Sequence, residues 1–179
     1  MKITISGKPG SGKSTIAKLI AKKLNLKHYS MGDLQRSIAK EKGISLIELS
    51  KLEEQSPELD KKVDDRLKQI GEKKDNIIVD ARVGFHFIPD SIKIFLDISI
   101  EEGAKRIFKD KREGETTETL EELKFEIKRR IDSEEKRYLE YYHVYVNDAD
   151  NYDLIVDTTN ITIEQVVDKL LEFVKNFKF

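Results

Sequence analysis

Met1 to Ala17 reads MKITISGKPGSGKSTIA, and this stretch decides the fold. Ile3 and Ile5 alternate as in a short strand, a glycine-rich turn follows, and a helical pattern begins behind it. Gly7, Gly12, Lys13 and Ser14 fill the pattern G-x-x-x-x-G-K-[ST], which carries a mechanism in this order of strand, loop and helix. A Cβ at Gly7, Gly10 or Gly12 would obstruct backbone N–H groups that wrap a chain of phosphates. A helix opening at about Gly12 aims its unpaired N–H groups and positive dipole end at the same anion. Lys13 is placed to reach the β- and γ-phosphates and the Ser14 hydroxyl to hold Mg²⁺. Pro9 stiffens the crest, and Ser11 and Thr15 complete the predicted ATP-binding loop. An accidental turn rich in glycine and lysine is the rival reading. The four fixed positions coincide by chance in under about one chain in a hundred of this length.

Outward from the loop, the 179 residues predict a single domain, 1–179, long enough to bury about 70% of its unfolded surface. Cys is absent, which excludes disulfides, thiolate metal sites and a cysteine nucleophile and fits a reducing cytoplasm. No signal-peptide pattern precedes the first strand, and no apolar run approaches the ~20 residues of a membrane span. A soluble, cytoplasmic protein is the expectation. Lys+Arg 33 against Asp+Glu 34 leave a net charge of -1, which argues against the electrostatic footprint of a nucleic-acid binder. Monomer or dimer is left open.

Ile16, Leu19, Ile20 and Leu24 recur at helical spacing and Asn25 suits a left-handed stop, so the first helix is predicted over residues 13–24. Residues 27–30 read as a second strand, with Asp33 as the cap of the next helix. From Asp33 to Lys74 the pattern is polar and helical, broken at Gly43 and Ser56-Pro57, with a capping box at Ser45-x-x-Glu48. Two or three small helices, too polar for core, are predicted to project from the sheet. Strands resume at residues 76–80 and 92–98, and Ser99 caps the helix after the latter. Lys109 to Thr119 is charged with little to bury, predicting a mobile segment. A long helix over about 120–142, a strand at 153–157 and a Thr162-capped helix with an Ile163, Val166, Val167, Leu170, Leu171, Val174 stripe complete the chain. Strands alternating with helices predict a parallel five-stranded sheet covered on both faces, with ligand at the carboxyl ends of the strands.

Ser30-Met-Gly-Asp-x-x-Arg36, Asp80-Ala-Arg82, and Arg130 with Arg137-Tyr138 ahead of the strand in Tyr152 to Thr159 together resemble the nucleoside monophosphate kinases, closest to the archaeal-type cytidylate kinases. The resemblance implies a P-loop kinase fold: a core of 1–32, 75–106 and 144–179, an acceptor-binding subdomain of 33–74, a lid at about 107–120 and the long helix 120–142. It implies ATP-dependent phosphoryl transfer with Mg²⁺ to a nucleoside monophosphate, CMP or dCMP first. The Ser30, Gly32, Asp33 and Arg36 segment would grip the acceptor phosphate together with Arg82. Arg112 would swing onto the donor phosphates, Arg106 would lie near the adenine beside Thr158 and Thr159, and Asp80 would hold Mg²⁺ through water. The family often carries Gly before the third-strand arginine, where this chain has Ala81, and Gly84-Phe85-His86-Phe87 has no clear counterpart.

Such chemistry needs arginines more than bases. A monophosphate already carries between one and two negative charges at neutral pH, so the demand is to position and neutralise two repelling anions. Bidentate guanidinium geometry suits Arg36 and Arg82 to that task, and Arg130 and Arg137, two helical turns apart, share a face from which to bridge both phosphates. Asp60 and Asp64 share a helical face, either reading the acceptor or simply solvated. His28, His86 and His143 form no spaced ligand set, and Tyr138, Tyr141, Tyr142 and Tyr145 are spaced for packing. An adenylate-kinase-like or other small-molecule kinase, and a non-kinase ATP-dependent switch, are the alternatives.

Overall fold

The computed structural model describes residues 1–55, 57–110 and 119–178. Its sheet has five strands in the order β2-β3-β1-β4-β5, β1 being Lys2–Gly7, β2 Lys27–Ser30, β3 Ile77–Asp80, β4 Ile92–Asp97 and β5 Leu154–Asp157. Every pairing is parallel, with β1 at the centre between β3 (Ile5 beside Asp80) and β4 (Gly7 beside Leu96). Parallel neighbours require crossovers, and helices supply them on both faces as the alternation predicts.

Alternation along β1 separates the two layers. Ile3 and Ile5 pack with Ile16 and Ile20 of α1 (Lys13–Leu24) and with Val166, Val167 and Leu170 of the last helix. Thr4 and Ser6 face the other way and are satisfied by hydrogen bonds: Thr4 Oγ1 pairs with Ser91 Oγ at 2.9 Å, and Ser6 Oγ donates to the carbonyls of Ala81 and Arg82, both at 2.9 Å. Buried hydroxyls are tolerated only when partnered, and the Ser6 bonds fix the chain where it leaves β3. A left-handed Asn25, with φ 52, ends α1 as expected.

On the second face lie α2 (Met31–Lys42), α4 (Pro57–Lys73), the short α5 (Gly84–Phe87) and part of α7 (Leu120–Tyr142), with α3 (Leu46–Gln55) packed against α2, α4 and α7. Three expectations are corrected here. The cap of α2 is Ser30, whose hydroxyl accepts from the Asp33 N–H at 3.2 Å, so Asp33 sits inside the first turn. The 33–74 stretch is not free of core: Leu67 and Ile70 of α4 pack with Ile77, Val79 and Tyr138, their spacing along α4 having been diluted by charged neighbours. Gly84-Phe85-His86-Phe87, unassigned from sequence, is the single turn of α5, with Gly84 set against Thr4, where a Cβ would come within 3.1 Å.

Beyond the sheet, α6 (Ile100–Asp110) and α7 are joined by Ala104, Ile107, Leu123 and Ile127. Residues 107–110, assigned to the lid by sequence, are thus the last turn of α6, and Ile107 is buried. Residues 111–118, with Arg112 and most of the segment predicted to be mobile, lie outside the described residues. Thr119 caps α7 with a complete capping box, and Thr162 does the same for α8 (Ile163–Asn176), in which Ile163 turns outward, 41% exposed, leaving the rest of the predicted stripe.

Candidate active site

Where β1 and β3 end, the chain turns around a cavity of about 560 Å³, within the range of small-molecule sites, about 300–1,000 Å³. It lies at the carboxyl edge of the sheet, as an open parallel sheet dictates. Pro9, Gly10, Gly12, Lys13, Ser14 and Thr15 form one wall, and Gly32, Asp33 and Arg36 another. Asp80, Arg82 and Arg130 join them. Gly7, Ser11, Ser30, Arg106, Arg137 and Thr158 do not line it.

The phosphate loop owes its shape to two close backbone approaches. A Cβ on Gly7 would sit 2.2 Å from the Leu96 carbonyl oxygen, and one on Gly10 would sit 2.4 Å from that of Gly103 in α6. The reason for glycine at these two positions is therefore the neighbouring backbone as well as the phosphates. Gly103 is the reciprocal partner, its own Cβ position lying 2.6 Å from the Pro9 oxygen, and sequence reasoning missed it. A glycine inside a helix, disfavoured by about 1 kcal/mol against alanine, was the available signal. Lys8 ties the loop to β4 through Asp97 at 2.7 Å.

Gly12, at φ 85, precedes α1 without any side-chain cap, so the first N–H groups of the helix remain available to an anion. Behind the crest, the Ser11 hydroxyl is buried with no hydrogen-bond partner among the described residues. An uncapped helix start and a glycine-shaped cradle are features that a triphosphate satisfies. Lys13 donates to the carbonyls of Gly7 (2.7 Å) and Lys8 (3.2 Å). Burial first, and then the charge of Arg82, push its ammonium well below the usual lysine value, so an arriving anion gains a strongly desolvated cation.

Arg82 also donates to the Gly7 carbonyl, and its Nε meets Glu134 Oε2 at 2.6 Å. The other oxygen of Glu134 accepts from Arg130 Nε at 2.8 Å. Burial alone would raise the Glu134 carboxyl, but Arg82, Arg130 and Arg137 hold it down at about 2. This carboxylate is the joint of the site, and its position four residues past Arg130 was the unused signal. Arg137 is turned away from the cavity into a buried pair with Glu53 at 3.5 Å, and its Nη1 donates to Ser133 at 2.7 Å. The shared face predicted for Arg130 and Arg137 thus serves two different places, and Arg129 rather than Arg137 joins Arg130 in the wall.

Arg36 pairs with Asp33 one helical turn away. Partial burial opposes ionisation of Asp33, but the Arg36 hydrogen bond outweighs it and keeps the carboxyl below its usual value. Asp80 is buried, its oxygens meeting His28 Nε2 at 2.9 Å and the Ser30 hydroxyl at 3.2 Å. Ser14 and Asp80 both line the cavity and carry oxygens of the kind that could hold Mg²⁺. Away from the cavity, Arg106 donates to the carbonyls of Thr158 (2.8 Å) and Thr159 (3.1 Å), so these residues do meet, at the loop after β5. The Thr158 hydroxyl is spent on the Asp97 carbonyl. Of Asp60 only the backbone is described, whereas Asp64, which a polar helix pattern left as readily solvated, is 5% exposed and lines the cavity.

Residues 2–160 match the cytidylate kinase-like family. The chain is 37% identical to the cytidylate kinase of Sulfurisphaera tokodaii, an alignment covering 99% of this chain and 96% of that protein. It is 41% identical to the cytidylate kinase of Methanothrix thermoacetophila over 88% of each chain. Among solved structures, shikimate kinase from Bacteroides thetaiotaomicron superposes with a TM-score of 0.69 over 98% of both chains at 18% identity, a likeness of fold. The loop, the parallel sheet and the match along most of the sequence lead to one assignment: this chain belongs to the cytidylate kinase-like family.

Proposed function

We propose that the protein transfers the γ-phosphoryl group of ATP to CMP, giving CDP and ADP. The observation that carries this reading is the convergence of the phosphate loop, Arg36, Arg82 and Arg130 on one cavity, beside the near full-length similarity to two cytidylate kinases.

The acceptor phosphate is itself the nucleophile, with a second pKa near 6, so no protein base is required. What the chain contributes is position and charge. The N–H groups at the start of α1 and the loop hold the donor phosphates. Lys13 exchanges its two carbonyl partners for the donor oxygens, whose negative charge offsets the burial that disfavours its ammonium. Arg36 and Arg82 take the acceptor phosphate, and Arg130, beside Arg82 on the same Glu134 joint, faces the charge that develops between the two. Ser14 and Asp80 would hold Mg²⁺, which would supply positive charge to offset that of the phosphates. The division into a 33–74 acceptor subdomain on a sheet core fits this arrangement, because Gly32, Asp33 and Arg36 reach the cavity from α2.

A coupled assay of ADP release over CMP, dCMP, UMP, AMP and GMP tests the reading. CMP or dCMP is expected to be the best acceptor. No ADP with any acceptor would end the kinase reading, and AMP turned over well above CMP would move the chain to the adenylate-kinase-like alternative.

A further inference from the structure

The geometry points to Asp64 as the residue that selects the acceptor base, by accepting a hydrogen bond from the exocyclic amine of cytosine. This rests on the reading of the cavity as the acceptor site. Asp64 of α4, 5% exposed, lines the same cavity as Arg36 and Arg82, and Met31, Leu67 and Tyr138 contribute to that lining as well.

The placement is also fixed. Tyr142 of α7 donates its hydroxyl to Asp64 Oδ2 at 2.7 Å. The Tyr142 ring is held in turn by Phe87 of α5 at 5.1 Å and His86 at 5.5 Å between centroids. With one oxygen oriented by the phenol, the acceptor capacity of the other lone pairs is directed. A carboxylate accepts and does not donate. Cytosine offers an amine at its 4-position and uracil an oxygen, so a base whose 4-position meets Asp64 makes a hydrogen bond as cytosine and an acceptor-to-acceptor clash as uracil. Sites built to bond one group reject its absence strongly, because the buried partner is left unpaired.

The test starts with the unaltered enzyme and ATP, comparing CMP, UMP and the 2-pyrimidinone ribonucleoside monophosphate, which lacks only the exocyclic amine of CMP. Both of the latter are expected to show kcat/KM at least about 30-fold below CMP. Asp64→Asn can turn its amide to serve either base, so the CMP-to-UMP ratio should narrow by about tenfold or more while the KM for ATP stays within about twofold. Tyr142→Phe, which keeps the carboxylate but removes the phenol that donates to it, should narrow the ratio less and in the same direction. Equal use of CMP and the amine-free analogue by the unaltered enzyme would overturn the inference whether or not the variants fold. So would an Asp64→Asn enzyme that loses CMP and UMP activity in equal proportion, the result expected if Asp64 merely pins α4 to α7. Failure with every acceptor would remove the kinase reading as well, whereas CMP turnover with an unchanged ratio would remove only the role of Asp64.

Discussion

Replacing Glu134 with Gln removes one charge from the centre of the site and leaves the shape of the side chain almost intact. In the folded protein the carboxyl sits at about 2, against 4.5 for a free glutamate. At about 1.4 kcal/mol per decade, that difference corresponds to roughly 3 kcal/mol of stabilisation. The geometry agrees, since one carboxylate meets Arg82 at 2.6 Å and Arg130 at 2.8 Å while itself only 7% exposed. Breaking such a buried pair from one side costs about 3–5 kcal/mol, because the remaining cations lose their counter-charge. Since the folded value lies below the unfolded one, the contribution is complete at pH above about 4.5 and is lost as pH falls toward 2. Urea unfolding at pH 7 should therefore separate E134Q from the unaltered protein by roughly 3 kcal/mol. The gap should hold constant down to about pH 5, narrow below it, and survive added salt as an exposed pair would not. A gap under about 1 kcal/mol at pH 7, or one that does not narrow on acidification, would refute the reasoning.

Other consequences concern activity. Lys13→Ala should lower kcat by about 10³-fold with little change in unfolding midpoint, since the charge is used on phosphates; near-normal turnover would displace the donor site from the loop. Arg36→Ala removes a charge-assisted contact worth about 2–3 kcal/mol. It should lower kcat/KM for CMP by roughly 30- to 100-fold with KM for ATP little changed, and an equal loss for ATP would contradict its assignment to the acceptor. Gly103→Ala places a Cβ 2.6 Å from the Pro9 carbonyl oxygen, so overpacking of about 1–3 kcal/mol should raise KM for ATP severalfold and lower the melting temperature by roughly 3–9 °C. An unchanged KM for ATP would show that α6 does not shape the loop.

What was legible in the sequence was local. The loop residues, Asn25 after α1, the box at Ser45 and Glu48, and Thr162 before α8 each specify structure within four residues, and each is found as expected. The parallel sheet followed from alternation, which is a property of chain order. Glu134 was illegible, and Asp64 was left between two readings, for a different reason. Each lies in a helix crowded with charge, and in sequence a glutamate that faces solvent and one that faces two guanidiniums look alike. Gly103 was hidden because the backbone it accommodates is about ninety residues away, at Pro9.

The buried acids also explain how so basic a site exists before its anions arrive. Lys13, Arg82 and Arg130 lie close enough that the two arginines lower the lysine pKa while Asp80 and Glu134 raise it. Without a counter-charge, three cations sharing one low-dielectric wall would repel one another and splay outward, and the donors would meet the phosphates from the wrong directions. Glu134 resolves this by taking the Nε edge of both arginines, which fixes the planes of the guanidiniums while leaving the net field positive. A phosphate needs orientation as well as charge, and the same carboxylate that lowers the self-repulsion of the empty site sets the orientation of the filled one. Substitution of Glu134 is therefore expected to damage stability and turnover together, whereas loss of Arg36, half-buried and paired within its own helix, damages turnover alone.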